Sequence, residues 1–385
     1  MLSSLWKTLE RVLLSRLTAI VRPRIVDEQG WGFPGRGVQE QLFSLSEAVS
    51  QSTVPVFACF LDIKEAFDSL WLEQMLIKLA HQGVDRHAWT LITNWYLGYQ
   101  ARVRTRLGGL TAPFPVQVGT RQGSVLSPLM FAVFINDLAL RLKAARSSGG
   151  APLGIPLTAS GEYLQCLLYG DDIVLLGSSE QDLQSLISIA GSFASEHKLR
   201  FAIGVSPSAK ETKCKVMQLG PSHAAAPPGE LLLQGKRLPW VATYKYLGVE
   251  FAAGPDPFHA GVLLRCNLAL AACREWASVS FTRSTRPPPE ENRSFYLAIV
   301  CASRDFGLHA VDLSPSSWRA LQANEATCTS LLRCPLQKGD RLPCRFRDRR
   351  RTLELSLGRA PAWSWRRGLL LARDRPPAYS DEPLT

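Results

Sequence analysis

The chain has 385 residues, 46% of them hydrophobic and 20% charged, and carries a net charge of +11 from 44 Lys and Arg against 33 Asp and Glu. This balance excludes bulk disorder and a small disulfide-stapled scaffold, and leaves room for two or three domains or one multi-lobed unit. A basic surplus attracts phosphate backbones, but by itself it describes a solvated surface equally well. Residues 1–21 read as an amphipathic helix with Leu2, Leu5, Leu9, Leu13 and Leu17 on one face, and they hold no uncharged apolar run long enough for a membrane span, so no membrane partner is expected. Residues 22–40 are turn-rich and 40–50 helical. Residues 54–63, VPVFACFLDI, form an apolar β-prone run ending at Asp62, the pattern of a buried strand. A helix over 70–82 closes at Gly83. ARVRTR at 101–106 alternates as a strand does, and Gly108 and Gly109 mark a turn.

Residues 124–143 predict a long apolar helix, and 145–161 a flexible loop by composition. Two β-prone runs, Tyr163–Tyr169 and Ile173–Leu176, flank Gly170, Asp171 and Asp172. A helix over 180–197 and strands at 213–219 and 243–251 follow. After 255 the texture becomes helical and rich in Arg and Trp, broken by prolines at 287–289, so a domain boundary is set near 255. None of the nine cysteines forms a CxxC pair, and most sit among apolar residues, which reads as reduced thiols of an intracellular protein. The run RLPCRFRDRRR at 341–351, followed by Trp363, Trp365, Arg366 and Arg367, reads either as a nucleic-acid contact or as a helix with one charged and one apolar face.

The acidic residues carry the chemistry. A carboxylate at the end of a buried strand needs a cation, a metal or an opening to solvent. Gly-Asp alone serves turn geometry, but the second acid of Gly170-Asp171-Asp172 gains nothing from a turn. Hard divalent cations collect such oxygens. Asp62 and Asp171 are 109 residues apart, so they meet only if two non-adjacent strands share a sheet, as in an antiparallel sheet with helices packed on it.

FLDIKEAFDSL (60–70), GTRQGSVLSPLMFAVFINDL (119–138) and LLYGDDIVLLG (167–177) resemble motifs A, B and C of reverse transcriptases, nearest to the non-LTR, LINE-type retrotransposon enzymes. GWGFPGRGVQEQL (30–42) resembles the fingers segment before motif A, KCKVMQLG (213–220) motif D, and YKYLGVEF (244–251) the primer-grip motif E. The resemblance covers about residues 5–251 and extends weakly through FYLAIVCASRDFGLHAV and SLLRCPLQ.

It implies an α+β right-hand polymerase with partial fingers at 1–53, an antiparallel palm sheet within 54–255, and a helical, thumb-like and basic part at 256–385. It implies that Asp62, Asp171 and Asp172 are the catalytic acids and hold two Mg²⁺, or Mn²⁺ in their place. Ile63, Phe67, Gln122, Gly123 and Lys213 would contact the nucleotide, with Phe67 crowding a 2′-hydroxyl and so selecting dNTPs. Leu247 and Gly248 would support the primer end, and Ser127 and Pro128 would fix the helix start behind motif B. An RNA template, a DNA primer and a nuclear setting follow from the resemblance in the same way. Arg22 and Arg36 read as solvated loop residues.

The pattern departs from the family in three places. YGDD stands where YADD is usual. The family's Arg-Pro-Ile segment would precede the first residues here, which predicts incomplete fingers and leaves a second reading open: a truncated fold that binds RNA or an RNA–DNA hybrid without polymerising. The insertion at 198–212 lengthens the approach to Lys213. Viral RNA-directed RNA polymerases lack the RQG…LSP block, and group II intron enzymes have Pro and Asn where this chain has Arg121 and Phe131.

Overall fold

The structure, a computed structural model, describes residues 4–33, 36–106, 108–116, 118–121, 123–157, 161–204, 212–220, 229–254, 256–282, 287–334 and 336–359. In chain order the first elements are α1 (Ser4–Val21), α2 (Val38–Gln51), β1 (Val56–Asp62), α3 (Leu72–His81), α4 (Arg86–Leu97), β2 (Gln100–Ala101), β3 (Phe114–Pro115) and α5 (Ser127–Ala144). Next come β4 (Ile155–Leu157), β5 (Glu162–Leu164), β6 (Cys166–Tyr169), β7 (Asp172–Gly177), α6 (Glu180–Glu196), β8 (Lys215–Leu219), β9 (Leu232–Leu233), β10 (Lys236–Arg237), β11 (Thr243–Tyr246) and β12 (Val249–Ala252). The remainder is helical: α7 (His259–Thr282), α8 (Pro289–Phe295), α9 (Ala302–Arg304), α10 (Pro315–Leu332) and α11 (Leu342–Arg359). No described helix is long and apolar enough to cross a membrane.

The fold is α+β, and its centre is an antiparallel sheet in the order β6-β7-β1-β8. Strand β1 lies between two partners and is buried on both faces, which is why its sequence is a continuous apolar run. Cys59 and Leu61 point into a core shared with α1, α3, α4, α5 and α6, whereas Ala58 and Phe60 point to the opposite face, toward α2, β11, β12 and α7. Period-two alternation therefore serves two hydrophobic layers. The helical part after 256 adds a third cluster, around Cys273, Tyr296, Val300, Cys301 and Cys328. Beside it the buried Arg304 pairs with Asp305 at 2.7 Å, and Asp305 with Arg345 at 2.9 Å. Helix α2 is tied to this part by Glu47–Arg350 at 3.3 Å and by the Asp312 N–H donating to Ser46 Oγ at 2.8 Å.

Several expectations need correction. Of the expected strand at 101–106 only Ala101 is in a strand, the short β2 that pairs with β3, because the arm does not join the main sheet and continues as an irregular hairpin. The expected loop at 145–161 contains β4, whose Ile155 and Leu157 are buried against the second core. The expected strand at 243–251 is a hairpin turning at Leu247 and Gly248. Helix α4 went unread although Asp85 caps it, accepting from His87 N–H and Ala88 N–H at 3.0 Å each. Of the leucine stripe in α1, Leu13 and Leu17 are buried, but Leu5 and Leu9 are exposed, and Leu2 lies outside the described residues. Arg36 is buried, not solvated, and donates to Val26 O, Gln29 O and Asp27 Oδ1 at 2.8–3.1 Å, so it staples the segment before α2. In α11, Leu342, Phe346 and Leu353 are buried while Arg345 and Arg350 are consumed by ion pairs, which favours the two-faced helix; Trp363, Trp365, Arg366 and Arg367 lie outside the described residues.

Candidate active site

The sheet register brings the acids together. Asp62, the last residue of β1, stands directly opposite Asp172, the first residue of β7. Asp171 occupies the two-residue turn between β6 and β7, after Gly170 at φ +66°, a backbone region that suits glycine. The turn is stitched to β1 by the Ile63 N–H donating to Asp171 O at 3.3 Å. The backbone around Asp62 is held in turn by the Ala202 N–H donating to Asp62 O at 2.9 Å, and Ile63 bridges Phe201.

Lys213 lies just ahead of β8, its Nζ 3.1 Å and 3.3 Å from the two carboxylate oxygens of Asp62. The lysine side chain is 64% exposed and that of Asp62 only 15%, so a mobile cation reaches down to a nearly buried anion. Despite the insertion before it, the lysine does reach the acids. The hydrogen bond to Asp62 and its charge raise the Lys213 pKa. Burial raises the Asp171 carboxyl, with Asp62 adding to the effect. Burial, then repulsion from Asp171 and Asp62, pushes Asp172 up to about 6. Three carboxylates and one ammonium leave the site short of positive charge. Among the described residues no three His, Cys, Asp or Glu side chains converge closely enough to hold an ion as they stand. The donor set nonetheless fits a hard divalent cation in kind, since it offers oxygen ligands and excess negative charge.

The other expected residues fall into two groups. Phe67 is half-buried, its ring 5.4 Å from Trp31 and 5.3 Å from Phe131. Its carbonyl accepts from the Thr120 N–H at 2.8 Å, and Leu70 O accepts from the Gly119 N–H at 2.9 Å, so the segments resembling motifs A and B are hydrogen-bonded along their backbones. Gly119 has φ +85°, and a Cβ there would stand 2.7 Å from Asp68 O, so this close approach requires glycine. Gly123 has φ +80° with open space where a Cβ would point. Gln122 lies outside the described residues.

Leu247 (φ +45°) and Gly248 (φ +85°) form the turn between β11 and β12. A Cβ on Gly248 would meet the Phe306 ring at 2.9 Å, and Arg265 donates to Gly248 O, so the helical part clamps this turn. The same hairpin reaches the acids through a residue the sequence reading missed. Tyr244 stacks on Phe60 at 4.1 Å, and burial, with Asp172 next in effect, raises its hydroxyl pKa.

Two further residues went unread. Glu10 of α1 is 1% exposed, and accepts from the Val125 N–H at 2.6 Å, Ser124 Oγ at 2.9 Å and Trp6 Nε1 at 3.0 Å. Arg121 donates to Trp95 O and lies over the rings of Tyr99, Trp6 and Tyr96 at 4.4, 4.9 and 5.5 Å. Together they bind α1 and α4 to the loop that leads into α5. The only sequence signal for Glu10 was a lone acid in a helix whose other charged residues are all basic.

Residues 1–251 match the family described as reverse transcriptase (RNA-dependent DNA polymerase). The chain is 26% identical over 258 residues to a putative 115 kDa protein in the type-1 retrotransposable element R1DM of Drosophila melanogaster, covering 64% of this chain and 22% of that protein. It is 29% identical over 256 residues to the RNA-directed DNA polymerase from mobile element jockey of Drosophila funebris, covering 65% and 26%. The chain thus spans about a quarter of the length of these curated relatives. Among solved structures, apo telomerase from Candida tropicalis matches with a TM-score of 0.45 at 10% identity, covering 91% of this chain and 54% of that one. The match over residues 1–251, with relatives in the retrotransposons that the motif order indicated, means that the chain belongs to the reverse transcriptase family.

Proposed function

We propose that the chain is the RNA-directed DNA polymerase core of a LINE-type retroelement, adding dNTPs to a DNA primer on an RNA template. The observation that carries this reading is the meeting of Asp62 and Asp172 in register beside Asp171, with Lys213 on Asp62 and Phe67 bonded to the loop before Gly123. In this reading 1–53 belong to the fingers, 54–255 form the palm and 256–385 a thumb-like part, and the element works in the nucleus. Magnesium, or manganese in its place, held as two ions by Asp62, Asp171 and Asp172, would supply charge stabilisation for nucleotidyl transfer. The primer 3′-hydroxyl releases its proton to solvent as its oxygen bonds to the α-phosphorus, and the bond to pyrophosphate breaks. Lys213 meets charge on the leaving phosphates, as an ammonium free to swing from Asp62. Ile63 and Gly123 line the nucleotide, Gln122 belongs to the same loop, and Leu247 and Gly248 steady the primer end.

The test is primer extension on an RNA template with Mg²⁺ or Mn²⁺, comparing the chain with Asp171→Asn. DNA synthesis by the chain that is lost in the variant is expected. RNA–DNA hybrid binding without synthesis in either would leave the non-polymerising reading. Phe67 supplies a second expected result. Its ring is fixed between Trp31 and Phe131, so Phe67→Val opens space without unfolding the loop. Ribonucleotide incorporation, read as kcat/KM for NTP against dNTP, should rise by about 10–200-fold, the range that one steric difference supplies. An unchanged ratio would remove Phe67 from sugar selection.

A further inference from the structure

Between Asp85 and Asp137 the chain has no acidic residue and five arginines, Arg86, Arg102, Arg104, Arg106 and Arg121. Arg121 is enclosed by aromatic rings, as described above. Arg102, Arg104 and Arg106 are exposed and form no ion pair among the described residues. They lie on the hairpin that leaves β2 and returns through β3. Arg104 bridges Leu110 across the two arms, the Thr105 N–H donates to Gly109 O at 2.8 Å, and the Gly108 N–H closes the turn onto Thr105 O at 3.0 Å. Arg102 and Arg104 alternate on the outgoing arm, roughly 6.6 Å apart at the rise of an extended chain, and Arg106 opens the turn. The same hairpin exposes Val103 (54%), Leu110 (58%) and Phe114 (44%).

The hairpin is also firmly based. The Val116 N–H donates to Tyr99 O at 2.9 Å, Val118 bridges Trp71, and the next two residues, Gly119 and Thr120, donate to Leu70 O and Phe67 O. An arm of uncompensated arginines and exposed apolar side chains thus projects from the wall of the nucleotide site. Arginines recognise phosphates. Exposed apolar and aromatic side chains gain from base faces, which are free in an unpaired strand and hidden in a duplex.

We propose that the hairpin at 100–116 binds an unpaired nucleic-acid strand, its phosphates on Arg102, Arg104 and Arg106 and its bases against Val103, Leu110 and Phe114. The inference rests on the polymerase reading, in which that strand is template on its way past Phe67. The test uses the full chain and a labelled, unstructured RNA oligonucleotide, with a blunt RNA duplex as comparison, in fluorescence anisotropy over a salt series. Each phosphate contact on a single strand contributes a slope of about −0.7 in log K against log salt. The triple variant Arg102→Ala, Arg104→Ala, Arg106→Ala should therefore lose about 2 from the magnitude of the slope. Phe114→Ala should weaken single-strand binding with the slope unchanged, and all these positions are exposed, so the melting temperature should hold. An unchanged slope, or an equal loss on the blunt duplex, would overturn the proposal. Asp171→Asn should keep the full slope, so a chain that binds through the hairpin and fails to polymerise would overturn the polymerase reading alone.

Discussion

Asp172→Asn is expected to give a protein that is more stable near neutral pH and about 10²-fold or more slower in copying RNA, since metal-assisted charge stabilisation supplies several kcal/mol and each 1.36 kcal/mol is a factor of ten. The stability half follows from the direction of the shift. An Asp in the unfolded chain titrates near its ordinary value of 3.8, whereas burial and the neighbouring Asp171 and Asp62 push Asp172 up to about 6 in the folded protein. The folded state therefore holds this proton more tightly. Its contribution is fully present below the unfolded value and is lost as pH rises through the folded one, leaving a net cost at neutral pH. The undiscounted shift corresponds to about 3 kcal/mol, and solvent screening of a half-buried group reduces it to about 1–2 kcal/mol. Asparagine removes the charge and keeps the shape. Melting curves taken in EDTA across the acid range should show a gain at neutral pH that vanishes at the acid end. A variant no more stable than the parent at any pH would mean that Lys213 already compensates the cluster. A variant that is stabilised and fully active would remove Asp172 from catalysis. The expected pairing, stability gained as activity falls, is that of a site kept under repulsion to receive cations.

The parts of the fold that were legible in the sequence are those specified by neighbours along the chain. The apolar run of β1, the glycine that closes α3, and the two β-prone runs around Gly170 each declare themselves within about ten residues. The motif spacing added the one long-range fact that mattered, since Asp62 and Asp171 can meet only across a sheet, and β1 and β7 do pair. What stayed hidden depends on what lies opposite. ARVRTR alternates as a strand should, yet only Ala101 joins the short β2-β3 pair, and the main sheet does not receive the rest. The glycines, serines and prolines of 145–161 conceal Ile155 and Leu157, which find β5 and the second core. The leucines of α1 predict a face correctly only for its second half, because the first half has nothing packed over Leu5 and Leu9. Tyr244 reads as a strand aromatic until β11 is seen beneath Phe60.

Glu10→Ala is expected to be strongly destabilising. The carboxylate is buried at 1% exposure and receives three donors, the Val125 N–H, Ser124 Oγ and Trp6 Nε1. Two of the donors belong to the residues immediately before α5, where backbone N–H groups need acceptors and a negative charge is favoured by the helix dipole. Alanine would leave the buried Ser124 hydroxyl and the part-buried Val125 and Trp6 N–H groups without this acceptor and open a cavity, at a cost of about 2–3 kcal/mol. Glu10→Gln keeps an acceptor oxygen and the volume, and should cost about 1 kcal/mol. Chemical denaturation midpoints separate the two. The functional consequence follows from the position of Ser124, next to Gly123 and three residues from Arg121, whose guanidinium shares Trp6 with Glu10. Loosening this anchor should let the loop before α5 drift, raising KM for dNTPs several-fold more than it lowers kcat, with most of the KM change reversed in Glu10→Gln. An alanine variant as stable as the parent would deny the anchor altogether. Lost stability with an unchanged KM would confine Glu10 to holding α1 on the core, and the loop before α5 would then owe its shape to the backbone bonds from Gly119 and Thr120 to Leu70 and Phe67.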